Sequence, residues 1–115
     1  MIHKKEFMLL FRYEPSNDTQ LTEAEMNNHH EQWGAFIGNI AFQEKLVSTH
    51  QLGFEGVQIL PNKAVVTGLH IAEKQTIGGN MVVVANSLKQ ATQMAMNCPI
   101  LSIGGTVEVR EINKM

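Results

Sequence analysis

Runs of apolar residues alternate with polar segments along the chain and predict a succession of strands and helices. The first run, residues 6–13 (EFMLLFRY), is rich in aromatic and aliphatic side chains and precedes a proline-containing turn, so it predicts a buried strand. Because successive side chains of a strand point to opposite faces, one face is apolar throughout and the other ends in a charge, Arg12. The sequence therefore predicts a strand with two unlike faces.

Two helices are predicted from their N-terminal capping signals. Each signal pairs a hydroxyl with a Glu or Gln three residues later, so that two exposed backbone N–H groups of the first turn are satisfied. The first helix should extend to about residue 45, with an apolar stripe from Met26 through Trp33 to Ile40, and the second should end before Pro99. The capping pairs are Thr22 with Glu25 and Ser87 with Gln90.

The remaining segments are predicted to be strands, which together with the two helices give the order of elements of an α+β fold. Residues 48–60 and 64–67 flank a Pro-Asn-Lys turn and predict a hairpin, residues 80–85 are strongly β-prone, and residues 106–112 alternate as a final strand. Strand, helix, two hairpin strands, strand, helix and strand is the order of a ferredoxin-like fold, in which both helices pack on one face of an antiparallel sheet. The other sheet face then needs a cover, and a second copy of the chain can supply it.

Composition narrows the class of protein. A chain of 115 residues with 43% hydrophobic and 17% charged residues is that of one globular domain spanning residues 1–115. Nine Lys and Arg against eleven Asp and Glu, without a basic stripe, argue against nucleic-acid binding. We expect neither a signal peptide nor a membrane span, and the single cysteine, Cys98, fits a reducing cytoplasm.

Several segments resemble the YCII-related proteins of the DGPF type. The resemblance lies in the opening EFMLLFR, the LTEAEM and HHEQWGAFI parts of the first helix, KAVVT, the IGG turn and the closing CPILSIGGTVEVREI. It covers nearly the whole chain in order and implies a ferredoxin-like fold that dimerises through its sheets into an α+β barrel. Most such proteins have no assigned reaction, and a few relatives resemble small enzymes that act on small organic molecules.

The chain departs from this family at the segment for which the family is named. An Asp-Gly-Pro-Phe sequence, typically preceded by Val-Thr, follows the third strand in the family, whereas residues 66–71 of this chain read VTGLHI. The aspartate is missing, and His70 brings a different titratable group into the same region. We take Thr67 and His70 as ligand-binding candidates there.

His29 is the leading candidate for a catalytic residue. His29 and Trp33 match a His and a Trp four residues apart on the family's first helix, and this spacing directs both side chains to one side. A histidine can act as a general acid or base, while Trp33 and the adjacent His30 would line an apolar pocket for the ligand. Alternatively, His29 and His30 lie at the edge of a core or dimer interface and have only structural hydrogen bonds.

Arg12 and His50 are further ligand-binding candidates. Arg12 either holds a substrate carboxylate in bidentate fashion or pairs with a carboxylate of the chain, such as Glu108 or Glu111. His50 falls on the second strand, so several histidines could converge in the fold. No spacing of a metal site is present, and we expect neither a metal nor another cofactor.

Two functions follow from these residues. The first is a cytoplasmic homodimer whose cleft between the sheets, lined by His29, Trp33, Arg12 and His70, binds a small organic molecule and transforms it by proton transfer without a cofactor. The second is a noncatalytic ligand-binding or protein-interaction module of the same fold. A dimer whose cavity has filled in is a third possibility, and fold alone does not choose among them.

Overall fold

The computed structural model describes residues 4–15 and 22–113. Six strands, two α-helices and a short 3₁₀ helix follow one another in this part of the chain. In chain order they are β1 (Lys5–Tyr13), α1 (Glu23–Phe42), β2 (Leu46–Gln51), β3 (Val57–Ile59), β4 (Val65–Thr67), β5 (Thr76–Ala85), α2 (Leu88–Ala95), the 3₁₀ helix (Pro99–Ile103) and β6 (Thr106–Glu111).

The main sheet has four antiparallel strands in the order β2-β5-β1-β6. The central strands are β1 and β5. Helix α1 connects β1 to the edge strand β2, and helix α2 connects β5 to the other edge strand, β6. This topology confirms the α+β, ferredoxin-like fold expected from the order of elements. Its edges are β2 and β6.

The core lies between one face of this sheet and both helices. Phe7, Leu9 and Phe11 of β1 are buried there beside Met81 and Val83 of β5. The helices close this core with aromatic, aliphatic and small side chains, namely Phe36, Ile40, Ala91 and Ala95. The strict alternation of burial along β1 is the pattern predicted for this strand, with its apolar row turned toward the helices.

Helix α1 begins as predicted but ends earlier. Its capping box is complete, because the Thr22 hydroxyl accepts from the Glu25 N–H and the Glu25 carboxylate accepts from the Thr22 N–H. The helix ends at Phe42, not near residue 45, since Glu44 takes a left-handed conformation (φ 59°) that stops it. No glycine in the sequence signals this turn.

The apolar stripe of α1 was predicted too far toward its N-terminus. Met26 is 47% exposed, whereas Phe36 and Ile40 are buried, so the stripe covers only the second half of the helix. The first turns therefore contribute little to the core.

Helix α2 is capped by a variant of the predicted box. The Ser87 hydroxyl accepts from the Gln90 N–H, but the Gln90 side chain accepts from the N–H of Asn86, one residue before the expected donor. The helix ends before Pro99, as predicted. No helix within the described ranges combines the length and hydropathy of a bilayer span.

The predicted hairpin forms, but as a sheet of its own. Residues 48–60 are not one strand: β2 pairs with β5 up to the bond from the Leu52 N–H to the Gly78 carbonyl, and the chain then leaves the main sheet. After a glycine-containing segment, β3 pairs with β4, in the register Val57 with Thr67 and Ile59 with Val65. We call residues 52–71 the arm.

Candidate functional site

His29 and Trp33 interact directly on α1. The indole Nε1–H of Trp33 donates a hydrogen bond of 2.9 Å to Nε2 of His29, as the spacing of four residues allows. Both side chains are half-buried. The imidazole must have Nε2 unprotonated to accept this bond, so its proton is on Nδ1.

The surroundings of His29 favour the neutral imidazole. Partial burial lowers the pKa of His29 below its ordinary value, and the neighbouring His30 lowers it further by charge repulsion. The hydrogen bond from Trp33 acts in the same direction, because it exists only while Nε2 has a free lone pair.

Trp33 connects this histidine to the core. Its ring packs edge-on against Phe11 at a centroid distance of 5.3 Å and against Phe36 at 5.9 Å. Phe11 belongs to the apolar row of β1 that faces the helices. The pair of His29 and Trp33 therefore lies on the helix side of the sheet.

The opposite side of the sheet, which we call the open face, has neither helix packed on it. Its central positions are apolar and half-buried: Met8 and Leu10 of β1 and Val82 and Val84 of β5. Polar residues surround this apolar centre on the same face. They are Ser48, His50, Asn80, Arg12, Glu108 and Arg110.

Arg12 is paired on the open face with a carboxylate that the sequence had offered as one alternative. Its Nη1 lies 2.6 Å from Oε1 of Glu108, across the boundary between β1 and β6. The side chains remain 33% and 44% exposed, so the pair by itself adds at most about 1 kcal/mol to stability. A ligand carboxylate would have to share or displace Glu108 to reach this guanidinium.

His50 has a partner in the same region. Its Nδ1 lies 3.1 Å from Oδ1 of Asn80, the residue opposite it in the β2–β5 register. Asn80 is in turn opposite Leu10, and Leu10 is opposite Glu108. One row across all four strands thus presents an imidazole, an amide, an apolar side chain and a carboxylate.

The sequence-predicted residues therefore fall into separate groups. Arg12 and His50 are on the open face, whereas His29 and Trp33 are on the helix side, so one chain does not gather them in one cleft. His30 is exposed on α1. Thr67 and His70 belong to the arm, where both are exposed, and the His70 carbonyl accepts a hydrogen bond of 2.8 Å from the Thr76 hydroxyl.

A groove of about 760 Å³ lies on the helix side, between α1 and the segment from α2 through the 3₁₀ helix. Apolar side chains such as Phe36 and Met94 form part of its lining, and amides such as Gln32, Asn39 and Gln93 form another part. Among the described residues, its lining includes neither a histidine nor a carboxylate, and its ionisable side chains are Lys45 and Cys98. Burial raises the pKa of the Cys98 thiol to about 11, so the groove offers mainly hydrogen-bonding groups.

Sequence reasoning missed Asn80 and the amides of the groove. The amides do carry a signal, since Gln32, Asn39 and Gln43 recur at helical spacing beside the buried stripe of α1. Asn80 carries no such sequence signal, because only the pairing of β2 with β5 places it opposite His50.

Neither a cluster of metal ligands nor a similar known protein helps to assign a function. Among residues 4–15 and 22–113, no three side chains of His, Cys, Asp and Glu converge as metal ligands would. No protein-family model and no curated protein matches the chain.

Proposed function

We propose that the protein is a homodimeric, noncatalytic binding protein of the cytoplasm whose ligand, a small polar organic molecule, is held between the open faces of two copies. The observation that carries this proposal is the composition of the open face. Its apolar centre, Met8, Leu10, Val82 and Val84, adjoins a row of hydrogen-bonding groups that begins at His50 and Asn80. Binding sites commonly combine an apolar surface with a few convergent polar groups.

Surface area supports the assembly of two copies. The chain exposes 8524 Å² to solvent, against about 6300 Å² for a compact monomer of this mass. The exposed apolar side chains of the arm and the half-buried ones of the open face contribute to this difference of roughly 2200 Å², and obligate homodimers bury apolar surface of this kind. The dimer that the resemblance to YCII-related proteins implies also uses this sheet face.

The hydrogen bonding of His29 favours binding over acid-base catalysis. A general base needs a free lone pair, and the acceptor nitrogen of His29 is already engaged by the Trp33 indole at 2.9 Å. Its side of the sheet is also opposite to that of Arg12. His29 is thus better described as the structural partner of Trp33, and the ligand contacts are assigned to His50, Asn80 and Arg12.

A thermal-shift screen against small carboxylic acids and aromatics tests the proposal. A ligand at a hundred times its Kd should raise the melting temperature by about 5 °C or more, because it favours the folded state. The same ligands should lose their effect in Arg12→Gln and in His50→Gln, and keep it in His30→Gln, a matched change on the exposed surface of α1.

Three results would contradict the proposal. One is a monomer in sedimentation velocity at micromolar concentration. Another is a set of ligands whose effect survives both open-face substitutions, which would move the site elsewhere. The third is turnover of a hit compound that disappears in His29→Gln, which would favour the catalytic alternative.

A further inference from the structure

The arm exposes more apolar surface than a small monomer usually tolerates. The backbone register turns Val57, Ile59 and Val65 to one face of the two-stranded sheet, and these side chains are 60%, 71% and 64% exposed. Phe54, at the base of the arm, is 67% exposed. Contiguous exposed apolar side chains of this kind are typical of interaction sites.

The arm has little to stabilise it within its own chain. A two-stranded hairpin is at best marginally stable in water. β3 and β4 have three residues each, and within the described part of the chain they pair only with each other. Among the described residues, its attachments to the body include the edge-on packing of Phe54 against Tyr13 at 6.1 Å. They also include hydrogen bonds from the Leu52 N–H to the Gly78 carbonyl and from the Thr76 hydroxyl to the His70 carbonyl.

The arm has no net formal charge. The arm contains one carboxylate, Glu55, and one ammonium group, Lys63, so electrostatic repulsion does not oppose its approach to an apolar surface.

A second copy of the chain is the partner that these observations fit. The arm continues from β2, an edge strand of the main sheet, and the same sheet has an uncovered apolar face. A second copy can cover the apolar side chains of the arm and the open face together, and the chain exposes more surface than a compact monomer of its mass.

We infer that the arm packs Val57, Ile59 and Val65 against the second copy of the dimer. This inference rests on the proposed dimer and adds a contact that stabilises it. Thr67 shares the exposed face of the arm and enters the same interface.

Sedimentation velocity of matched variants across micromolar concentrations tests this inference. The arm variant combines Ile59→Lys and Val65→Lys, and the open-face variant is Val82→Lys. Phe42→Lys is the control, since Phe42 is 88% exposed at the end of α1, outside both surfaces. The arm variant should weaken dimerisation by about a hundredfold or more, because two apolar contacts are replaced by charges, and the control should leave it unchanged.

Hydrogen exchange of the unmodified protein provides a second measurement that does not depend on the folding of variants. Amides of β3 and β4 should exchange rapidly in dilute monomer and become protected as the dimer forms. Rapid exchange of these amides at concentrations where sedimentation shows a dimer would overturn the inference.

The sedimentation outcomes separate the arm from the proposed function. A wild-type dimer that is lost in Val82→Lys but keeps its affinity in the arm variant would overturn the arm contact and leave the open-face dimer standing. A dimer lost only in the arm variant would support the arm and contradict the open-face interface. A monomeric wild type, including one whose arm binds a different protein, would overturn both.

Discussion

Lowering the pH should break the hydrogen bond between Trp33 and His29. Protonation of Nε2 converts the acceptor of the 2.9 Å bond into a donor, and the indole N–H then has no partner there. The pKa of His29 is lowered by partial burial and by His30, so this change should occur below about pH 6.5, the ordinary value for histidine.

The sign of the effect on stability follows from that direction. Between the lowered pKa in the folded protein and about 6.5 in the unfolded chain, the unfolded state binds more protons. The contribution of His29 is therefore fully present above about pH 6.5 and is lost as the pH falls through this interval. The loss should be on the order of 1 kcal/mol, the net value of one partly buried hydrogen bond.

Tryptophan fluorescence can follow this change, because Trp33 is the only tryptophan in the chain. Its emission should show a titration with a midpoint below about 6.5, while circular dichroism shows that the protein stays folded. His29→Gln should abolish the transition, and His30→Gln should keep it with a midpoint moved upward, since it removes a neighbouring charge. A midpoint at or above 6.5, or a transition that persists in His29→Gln, would refute the reasoning.

Three further outcomes test the fold. Leu9→Ala should lower the free energy of unfolding by about 2–5 kcal/mol in urea denaturation, because Leu9 is fully buried, and Phe42→Ala, an exposed control, by less than about 0.5 kcal/mol. Gly79→Ala should lower it by about 1–3 kcal/mol, since the added Cβ would lie 2.6 Å from the His50 carbonyl oxygen; unchanged stability would show that β2 moves freely. Cys98 should react with thiol reagents at neutral pH only as fast as the protein opens, given its burial and a pKa of about 11, and rapid labelling of folded protein would contradict this.

Features that depend on near neighbours in the chain could be predicted from the sequence. The capping box of Thr22, the two unlike faces of β1 and the order of strands and helices are examples, because each arises from local hydrogen bonding or from a fixed side-chain period. The ion pair between Arg12 and Glu108 could also be proposed as an alternative, since both residues lie on strands that the sequence predicts.

Only the tertiary structure decided which residues face each other across those elements. Arg12 and His29 had been assigned to one cleft, yet strand alternation and the packing of Trp33 on Phe11 put them on opposite sides of the sheet. The sequence specifies which side chains share a face, but the covering of that face depends on long-range pairing. For the same reason, the period of residues 48–60 could not show that the chain leaves the main sheet after β2 and pairs again as a separate arm.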